Sequence, residues 1–359
     1  MAYLPLSTAN LPDPAIDPAQ GSSPSDYFNT VLYTGDGSTN GDQQAITGVG
    51  FAPDWVWLKS RSHTTVHYLS DQVRGVNKTL NLPNTTGEQT QTIFPAFGSD
   101  GFTVEYQSAN AGTNVNGNTY VAWNWKANGS GVSNTDGSIT STVSANTESG
   151  FSIVSYTGTG ASATVGHGLN EAPPVVLIKN RSTAQNWQMN YTIGDGSHDF
   201  IYLNSTGAKA GDHTIAAPTS SLFTVGTGAT VNTSGDNYIA YCFHSVDGFS
   251  KIGSYTGNGS ADGPFVYTGF RPAFVMRKRT DSTSDWFIQD GIRSTYNQAQ
   301  LNLYPNLSLQ EINSSGNAID ILSNGFKMKG GSGDSSNASG GTYIYMAFAE
   351  NPFKYSNAR

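Results

Sequence analysis

The chain has 359 residues, of which only 12% are charged, and its formal net charge is −8. This acidic balance, without a cluster of Lys and Arg, argues against nucleic-acid binding, and no apolar run approaches the roughly 18 residues that span a membrane. The single cysteine, Cys242, excludes an intrachain disulfide, and the histidines show no metal-ligand spacing, so we expect no metal and no cofactor.

The composition also predicts the fold class. Glycine accounts for 41 residues, and short apolar runs alternate with turns rich in Gly, Asn and Ser. No window shows the sustained apolar spacing of an amphipathic helix. We therefore expect an all-β protein built of antiparallel sandwiches.

Residues 1–26 form a proline-rich segment, for which we expect an extended or polyproline II backbone. Two interpretations stay open: a disordered leader, or an arm docked on a neighbouring subunit. For a docking arm, the anchors would be the apolar residues Tyr3, Leu4, Leu6, Leu11 and Ile16. The segment begins without the charged and apolar regions of a signal peptide, so we expect synthesis in a cytoplasm without export.

A proline followed by an apolar run and a lysine occurs three times, within residues 51–62, 171–182 and 271–280. Such a run, rich in β-branched and aromatic residues, predicts a strand that is buried on both faces and ends in a solvated turn. The lysines are Lys59, Lys179 and Lys278. They either contact a ligand or an interface, or keep the edge of a strand soluble.

Two further landmarks recur in the same order. A Tyr-Thr-Gly-x-Gly segment opens each copy, and an apolar strand that begins with tyrosine closes it. The tyrosines of these two landmarks are Tyr33, Tyr156, Tyr255, Tyr120, Tyr238 and Tyr343. The recurrence predicts three tandem β-sandwich domains, jelly-roll-like, behind the extended arm.

We name these predicted domains unit 1 (residues 27–127), unit 2 (151–247) and unit 3 (248–359). The Gly/Ser/Thr-rich residues 128–150 between the first two are expected to form a mobile or weakly structured linker, in which residues 139–143 could add a short strand. Units 2 and 3 follow each other closely and should be rigidly coupled, whereas unit 1 should be freer.

The closing strands place large side chains on one face and mostly smaller ones on the other. The large ones are Val121, Trp123, Trp125, Ile239, Tyr241, Phe243, Ile344, Met346 and Phe348. This face should fill a core, as in the inner strand of a two-layer sandwich.

The sequence gives little sign of catalysis. His63 and His67 are four residues apart but follow a strand and have no third ligand, so we expect solvated or packing histidines. None of the six glutamates recurs between units, and the spaced aspartates after residue 280 are more typical of turn capping. Asp71 and Arg74 should form a structural pair that fixes a loop, with an echo at residues 290–293. We predict no catalytic residues.

Several motifs together resemble an uncharacterised repeat domain of marine bacteriophage structural proteins. They are Tyr-Thr-Gly-x-Gly, Ala-Pro-Asp-x-Val-Trp-x-Lys-x-Arg-Ser, Asp-x-x-Arg-Gly, Gly-Phe-Thr and Tyr-Val-Ala-Trp-x-Trp-Lys-Ala, and the resemblance covers about residues 27–356. It implies a virion or tail component near the host-contact apparatus. Unit 2 departs from the family pattern at Asp-x-x-Arg-Gly.

From the resemblance and the arm, we expect a structural virion protein of a tailed bacteriophage, as a tail-fibre, receptor-binding or tail-associated part attached through its arm. The alternatives are a capsid decoration protein, a carbohydrate-binding lectin-like module and, less favoured, a polysaccharide depolymerase. The partners would be other virion proteins, further copies of this chain and a host surface glycan. Three similar domains would also mimic a trimer and suit a threefold or sixfold position.

Overall fold

The computed structural model describes Thr8 and residues 11–108, 112–194, 196–211, 215–331 and 335–356. The described chain is all-β, with antiparallel sheets arranged as sandwiches, which confirms the predicted fold class. Within these ranges the helices are single 3-10 turns, at Pro18–Gln20, Pro24–Asp26, Ser315–Asn317 and Phe353–Tyr355. None of them is long and apolar enough to cross a membrane.

Unit 1 contains a larger and a smaller sheet. The strands of the larger sheet are, in hydrogen-bonded order, β1 (Phe28–Thr34), β9 (Thr119–Trp125), β3 (Trp55–Ser60), β4 (His67–Asp71), β5 (Lys78–Leu82) and β6 (Gln89–Thr90). Those of the smaller sheet are β2 (Gln43–Thr47), β8 (Gly101–Glu105) and β7 (Ala96–Gly98). The two sheets enclose a core in which Val56 and Leu58 pack with Phe102.

Unit 2 repeats this division. Its larger sheet also includes two strands from the predicted linker, β10 (Val132–Asn134) and β11 (Ser141–Asn146). The strands that follow them, in hydrogen-bonded order, are β12 (Phe151–Thr157), β19 (Asn237–Phe243), β14 (Val175–Asn180), β15 (Gln188–Tyr191), β16 (Asp199–Tyr202) and β17 (Ala210–Gly211). The smaller sheet pairs β13 (Ala163–Gly166) with β18 (Leu222–Val225).

The expectation of a weakly structured linker at residues 128–150 is corrected by this sheet. β10 and β11 form a hairpin that pairs with β12 along its length, from Ser141 opposite Tyr156 to Asn146 opposite Phe151. Ile139 and Val143 are buried beside Val165 in the core of unit 2. Apolar residues within the Gly/Ser/Thr-rich segment therefore anchor it to unit 2.

Unit 3 has the same two layers. Its larger sheet contains β20 (Ser250–Thr256), β28 (Thr342–Pro352), β22 (Phe270–Arg279) and β23 (Trp286–Asp290), and its smaller sheet β21 (Phe265–Tyr267), β27 (Gly325–Met328) and β26 (Ile319–Leu322). A short ladder of β24 (Leu301–Asn302) and β25 (Ile312–Asn313) lies beside β23, through a bridge between Leu303 and Ile288.

One order of strands recurs in the three larger sheets: β1-β9-β3-β4, β12-β19-β14-β15 and β20-β28-β22-β23. The register also recurs, because Trp55 lies opposite Asp71, Val175 opposite Tyr191 and Phe274 opposite Asp290. These registers define which residues occupy corresponding positions in the three units.

The bulky faces of the closing strands β9, β19 and β28 point into one core that all three units share. Aromatic rings join each pair of units: the ring centroids are 4.4 Å apart for Trp55 and Tyr241, 5.1 Å for Phe28 and Phe348, and 5.9 Å for Phe243 and Phe348. The prediction that this face fills a core is confirmed, but the core lies between the units.

The expectation that unit 1 is freer than the others is therefore wrong. Each larger sheet is covered on one side by its smaller sheet and on the other by the two neighbouring units. Burial of one such large apolar side chain contributes about 1.5 to 3 kcal/mol, so separating the units would expose many such contributions at once. The three larger sheets form one closed body.

The described part of the arm packs on its own chain. Ile16 is 2% exposed and belongs to the shared core, next to the ends of the closing strands. Asp17 accepts a hydrogen bond of 2.6 Å from the Tyr355 hydroxyl, and Lys354 pairs with Asp13. The arm and the C-terminal strand therefore meet at one end of the closed body.

Candidate functional site

The three recurring lysines lie at the junctions between units. Each side chain is fully buried and donates to a backbone carbonyl of a neighbouring unit: Lys59 to Ser308 at 3.2 Å, Lys179 to Thr85 at 3.1 Å and Lys278 to Thr206 at 3.3 Å. Unit 1 thus holds unit 3, unit 2 holds unit 1, and unit 3 holds unit 2. Buried in this way, the lysines do not keep a strand edge soluble.

Burial makes the charged form of these amines costly. It lowers the pKa of Lys59 to about 7 and the pKa values of Lys179 and Lys278 to about 8. Each ammonium is also held by a carbonyl of its own unit, at 2.8 Å from Thr65 for Lys59. The lysines therefore bind backbone, and their position leaves no free amine for a ligand.

The backbone repeats the same cyclic pattern around the closed body. The same three carbonyls also accept hydrogen bonds of 2.9 Å from backbone amides. Gln185 donates to Thr85, Thr65 donates to Ser308, and Ser284 donates to Thr206. A ring N–H strengthens each junction. The contacts are Trp187 Nε1 to the Asn81 carbonyl, Trp286 Nε1 to the Tyr202 carbonyl and His67 Nε2 to the Tyr304 carbonyl.

His67 is thus a buried packing residue rather than a metal ligand. Trp57 Nε1 donates to its Nδ1 at 3.0 Å, which leaves Nε2 to donate to unit 3. Burial, aided by the charge of Lys59, holds the pKa of His67 well below its ordinary value, so the ring is neutral. Among the described residues, no cluster of three or more His, Cys, Asp or Glu side chains could hold a metal ion.

Asp71 and Arg74 form a fully buried ion pair at 2.5 Å, and the pair is part of the junction between units 1 and 2. The Tyr241 hydroxyl of unit 2 donates to Asp71 at 2.8 Å. Arg74 also approaches Glu88, which binds Arg181 of unit 2 at 2.8 Å. Burial opposes ionisation of Glu88, but the Arg181 hydrogen bond and the Arg74 charge outweigh it and lower the pKa of Glu88.

The junction between units 3 and 1 has the same network. Asp290 and Arg293 pair at 2.5 Å, Trp123 Nε1 of unit 1 donates to Asp290 at 3.0 Å, and Glu311 bridges Arg293 and Arg61 at 2.9 Å. An Asp–Arg pair and a Glu–Arg pair therefore link the units at two of the three junctions.

The third junction, between units 2 and 3, has other residues at these positions. Tyr191 takes the place of the aspartate and Gly194 that of the first arginine. Lys209 corresponds to Glu88 because its amide donates to Thr280, as the Glu88 amide donates to Arg181. Thr280 in turn corresponds to Arg181. This junction is held by backbone bonds, by Lys278 and by Trp286, and it encloses a cleft that is described below.

The loops that follow β1, β12 and β20 lie at the end of their strands opposite the arm, and a buried asparagine holds each of them. Asn114, Asn232 and Asn337 are fully buried. Asn232 accepts from the Thr159 amide at 2.8 Å and donates to the Ala161 carbonyl at 2.6 Å. The loop tips are exposed, so this end presents three braced glycine-rich loops.

Sequence reasoning missed these asparagines. Each stands six residues before the first tyrosine of a closing strand. The hydroxyl of that tyrosine accepts a hydrogen bond from the backbone amide that follows the asparagine, as Tyr238 does from Thr233 at 2.7 Å. The spacing was visible in the sequence, but Asn is so abundant in this chain that a single recurring one carries little signal.

Two aromatic residues stand out on the outer face of unit 3. Phe265 and Tyr267 of β21 are 46% and 59% exposed. The corresponding strand of unit 1 has Ala45 and Thr47 there. Exposed aromatic rings of this kind can stack on a sugar or pack against a protein.

Of the proposed docking anchors, Tyr3, Leu4 and Leu6 lie outside the described residues. Leu11 is half-buried beside Tyr267 and Phe353. Ile16 is buried in the chain's own core because it closes the end of that core, so it has no surface left for docking on another protein.

The arm also covers one side of an open cavity of about 750 Å³ at this end. Its lining carries both signs of charge, with Lys126 and Glu148 among its side chains. The Tyr27 hydroxyl donates to Glu148 at 2.6 Å, which ties the base of the arm to unit 2. The cavity is therefore a gap between the arm and units 1 and 2.

Comparison with models of protein families matches residues 23–352 to a single model, described as a domain of unknown function (DUF7483). The match begins within the arm and ends in the last strand, so it spans the whole closed body. A search of the curated proteins finds no match.

Proposed function

We propose that this chain, which belongs to the family described as a domain of unknown function (DUF7483), is a structural virion protein of a tailed bacteriophage. Its place would be in a tail fibre, a receptor-binding part or another tail-associated component. The arrangement that supports this proposal best is a closed body in which residues 11–26 of the arm meet residues 353–356 at one end, with three braced loops at the other. Such a body can be attached at one end and contact a host at the other.

The rigidity of the loops favours recognition. A loop that is already held in one conformation loses less entropy when it binds, so its affinity is higher for the same contacts. Asn232 and its counterparts hold the loop backbones through the core side, which leaves the tips free to differ. Binding loops on a rigid β-scaffold are a common arrangement.

The proposal includes the triplication. Units 1 to 3 would be three copies of one sandwich domain. The recurring strand order and the repeated pattern of hydrogen bonds between the units support this. Attachment would use the first ten residues of the arm and Leu11, since Ile16 is occupied. The chain would work by binding rather than catalysis, with other virion proteins as its partners.

The near-threefold arrangement of the larger sheets favours a second candidate. A single chain that imitates a trimer suits a threefold or sixfold position on a capsid, where it would decorate the head. The two candidates differ in where the chain lies on the particle.

Immunogold electron microscopy of purified particles, with an antibody raised against this chain, tests both. Label at the tail supports the tail-associated function, and label over the head supports decoration. Particles that carry no label at either place would refute the virion proposal. Purified protein added before infection should also reduce adsorption of the particle to its host if the loops bind a receptor.

A further inference from the structure

A cleft of about 350 Å³ lies between units 2 and 3. Its walls include Tyr191, Lys209, Ser254, Thr256, Thr280 and Tyr343. The volume is within the range of pockets that hold small ligands. The cleft is open to solvent on one side, because Ser254 and Thr256 are exposed.

The cleft exists because two arginines of the other junctions have short counterparts here. Arg181 of unit 2 extends along its own sheet and donates to Ser155 at 3.1 Å. In unit 3 the corresponding residues are Thr280 and Ser254, so among the described residues no side chain fills this space. On the opposite wall Gly194 stands where Arg74 fills the first junction.

The groups that line the cleft suit a neutral, hydroxyl-rich ligand. Serine and threonine hydroxyls can both donate and accept hydrogen bonds. The Tyr343 ring, stacked on Tyr255 at 4.7 Å, points into the core of unit 3, so the cleft side of these two strands carries Ser254, Thr256 and Thr342. Lys209 is paired with Asp199 at 2.6 Å, so its positive charge is already neutralised.

We propose that this cleft binds one neutral hexose unit of a surface glycan. The inference rests on the proposed receptor-binding function and deepens it by naming the ligand class and the site. A pyranose ring has hydroxyls around its edge, which can exchange hydrogen bonds with the hydroxyls of Ser254, Thr256 and Thr280. An acidic sugar would have to compete with Asp199 for Lys209.

Refilling the cleft tests the proposal. Thr280→Arg restores the arginine of the other junctions, and Ser254→Leu introduces the residue that unit 1 has at this position, Leu32. Thr39→Arg, on an exposed loop of unit 1, adds the same charge elsewhere and serves as the control. Tyr267→Ala removes an exposed aromatic ring from the outer sheet instead.

The probes are glucose, galactose, mannose and N-acetylglucosamine, with glucuronic acid as an acidic comparison, measured by saturation-transfer NMR and titration calorimetry on the full chain. We expect at least one neutral sugar to bind, with a loss of tenfold or more in Thr280→Arg and Ser254→Leu and no loss in Thr39→Arg or Tyr267→Ala. Thermal unfolding of each variant shows whether it is folded. If Thr280→Arg does not fold, Ser254→Leu still tests the proposal, because Ser254 is exposed.

Three results would overturn the inference: no binding of any neutral sugar, unchanged binding in both folded cleft variants, or a preference for glucuronic acid. The proposed function is judged separately. If cleft variants still block adsorption of the particle to its host, receptor binding stands and the cleft is not its site. If the wild-type chain binds sugar but never associates with a particle, the virion function fails while the cleft remains.

Discussion

The Lys179 ammonium group of unit 2 donates to the Thr85 carbonyl of unit 1 at 3.1 Å, and the Lys179 side chain is fully buried. The relationship is repeated by Lys59 and Lys278, each toward the next unit around the body. A lysine that is matched only by carbonyls costs desolvation energy that neutral hydrogen bonds only partly offset. The three lysines therefore specify how the units fit together more than they stabilise the fit.

The first prediction concerns Lys59 and pH. Its pKa is about 7 in the folded chain and near 10.5 in the unfolded chain, so between these values the unfolded chain binds more protons. The free energy of unfolding should therefore rise with pH across this window, by at most about 1.4 kcal/mol per pH unit for one lysine. Lys59→Met should reduce that slope.

Urea unfolding of the wild type and of Lys59→Met at several values between pH 7 and 10 measures the two slopes. Lys251→Met is the control, because Lys251 is exposed on β20 and should leave the slope unchanged. Parallel curves for the wild type and Lys59→Met would show that burial does not suppress the charge of Lys59.

The second prediction concerns Glu88, whose pKa is lowered by Arg181 and Arg74. The stabilisation from the charged carboxylate is complete above the unfolded pKa, near 4.5, and is lost as the pH falls through the lower folded value. Glu88→Gln should cost about 2 to 3 kcal/mol at pH 7, because it removes charge-assisted hydrogen bonds at a junction. The cost should shrink in acid.

Denaturant unfolding at pH 7 and at pH 3 to 4 checks both parts. Glu171→Gln, at a largely exposed glutamate, should change stability little at either pH. A cost for Glu88→Gln that is the same at both pH values would mean that shape rather than charge matters at this position.

The sequence predicted the β-fold, the recurring strands and the bulky faces of the closing strands, because a period of two is a local property of the chain. It did not predict what covers those faces. Trp123, Tyr241 and Met346 look alike whether they meet a smaller sheet or another unit, and only the assembled structure shows the shared core.

The junction residues were difficult to place for a similar reason. Lysine is almost always exposed, so Lys179 at the end of a strand suggested a solvated edge, and its partner Thr85 lies in a different unit. The cleft depends on Thr280 and Gly194, which matter only in comparison with the arginines at the other junctions. Sequence alone identified neither the junctions nor this comparison.

The third prediction concerns Asn232. Its side chain holds the loop after β12 through bonds to the Thr159 amide and to the Ala161 and Gly226 carbonyls. Asn232→Ala removes these three hydrogen bonds of a fully buried side chain and should cost about 3 kcal/mol, at about 1 kcal/mol for each bond. Asn237→Ala, at an exposed position, should be close to neutral. Thermal unfolding gives the cost, and faster hydrogen exchange at the Thr159 amide would locate it in the loop. Unchanged exchange there would show that the asparagine does not brace the loop.

The last prediction separates folding from attachment in the arm. Ile16 closes the shared core, so Ile16→Ala should destabilise the chain by about 2 to 4 kcal/mol, whereas removal of residues 1–10 leaves every described contact of Ile16 in place. A deletion of residues 1–26 would combine both effects and could not tell them apart. The measurements are thermal unfolding of the purified chain and its incorporation into particles, followed by electron microscopy.

If the first ten residues attach the chain, the variant that lacks residues 1–10 (the short deletion) should unfold at the wild-type temperature and yet be missing from particles. Ile16→Ala should unfold at a lower temperature but still be incorporated where it is folded. Normal incorporation of the short deletion would refute attachment through these residues, and the half-buried residues Leu11 and Phe353 would then be the next to test by substitution. A short deletion that unfolds early would instead show that the outer arm, like Ile16, serves the fold.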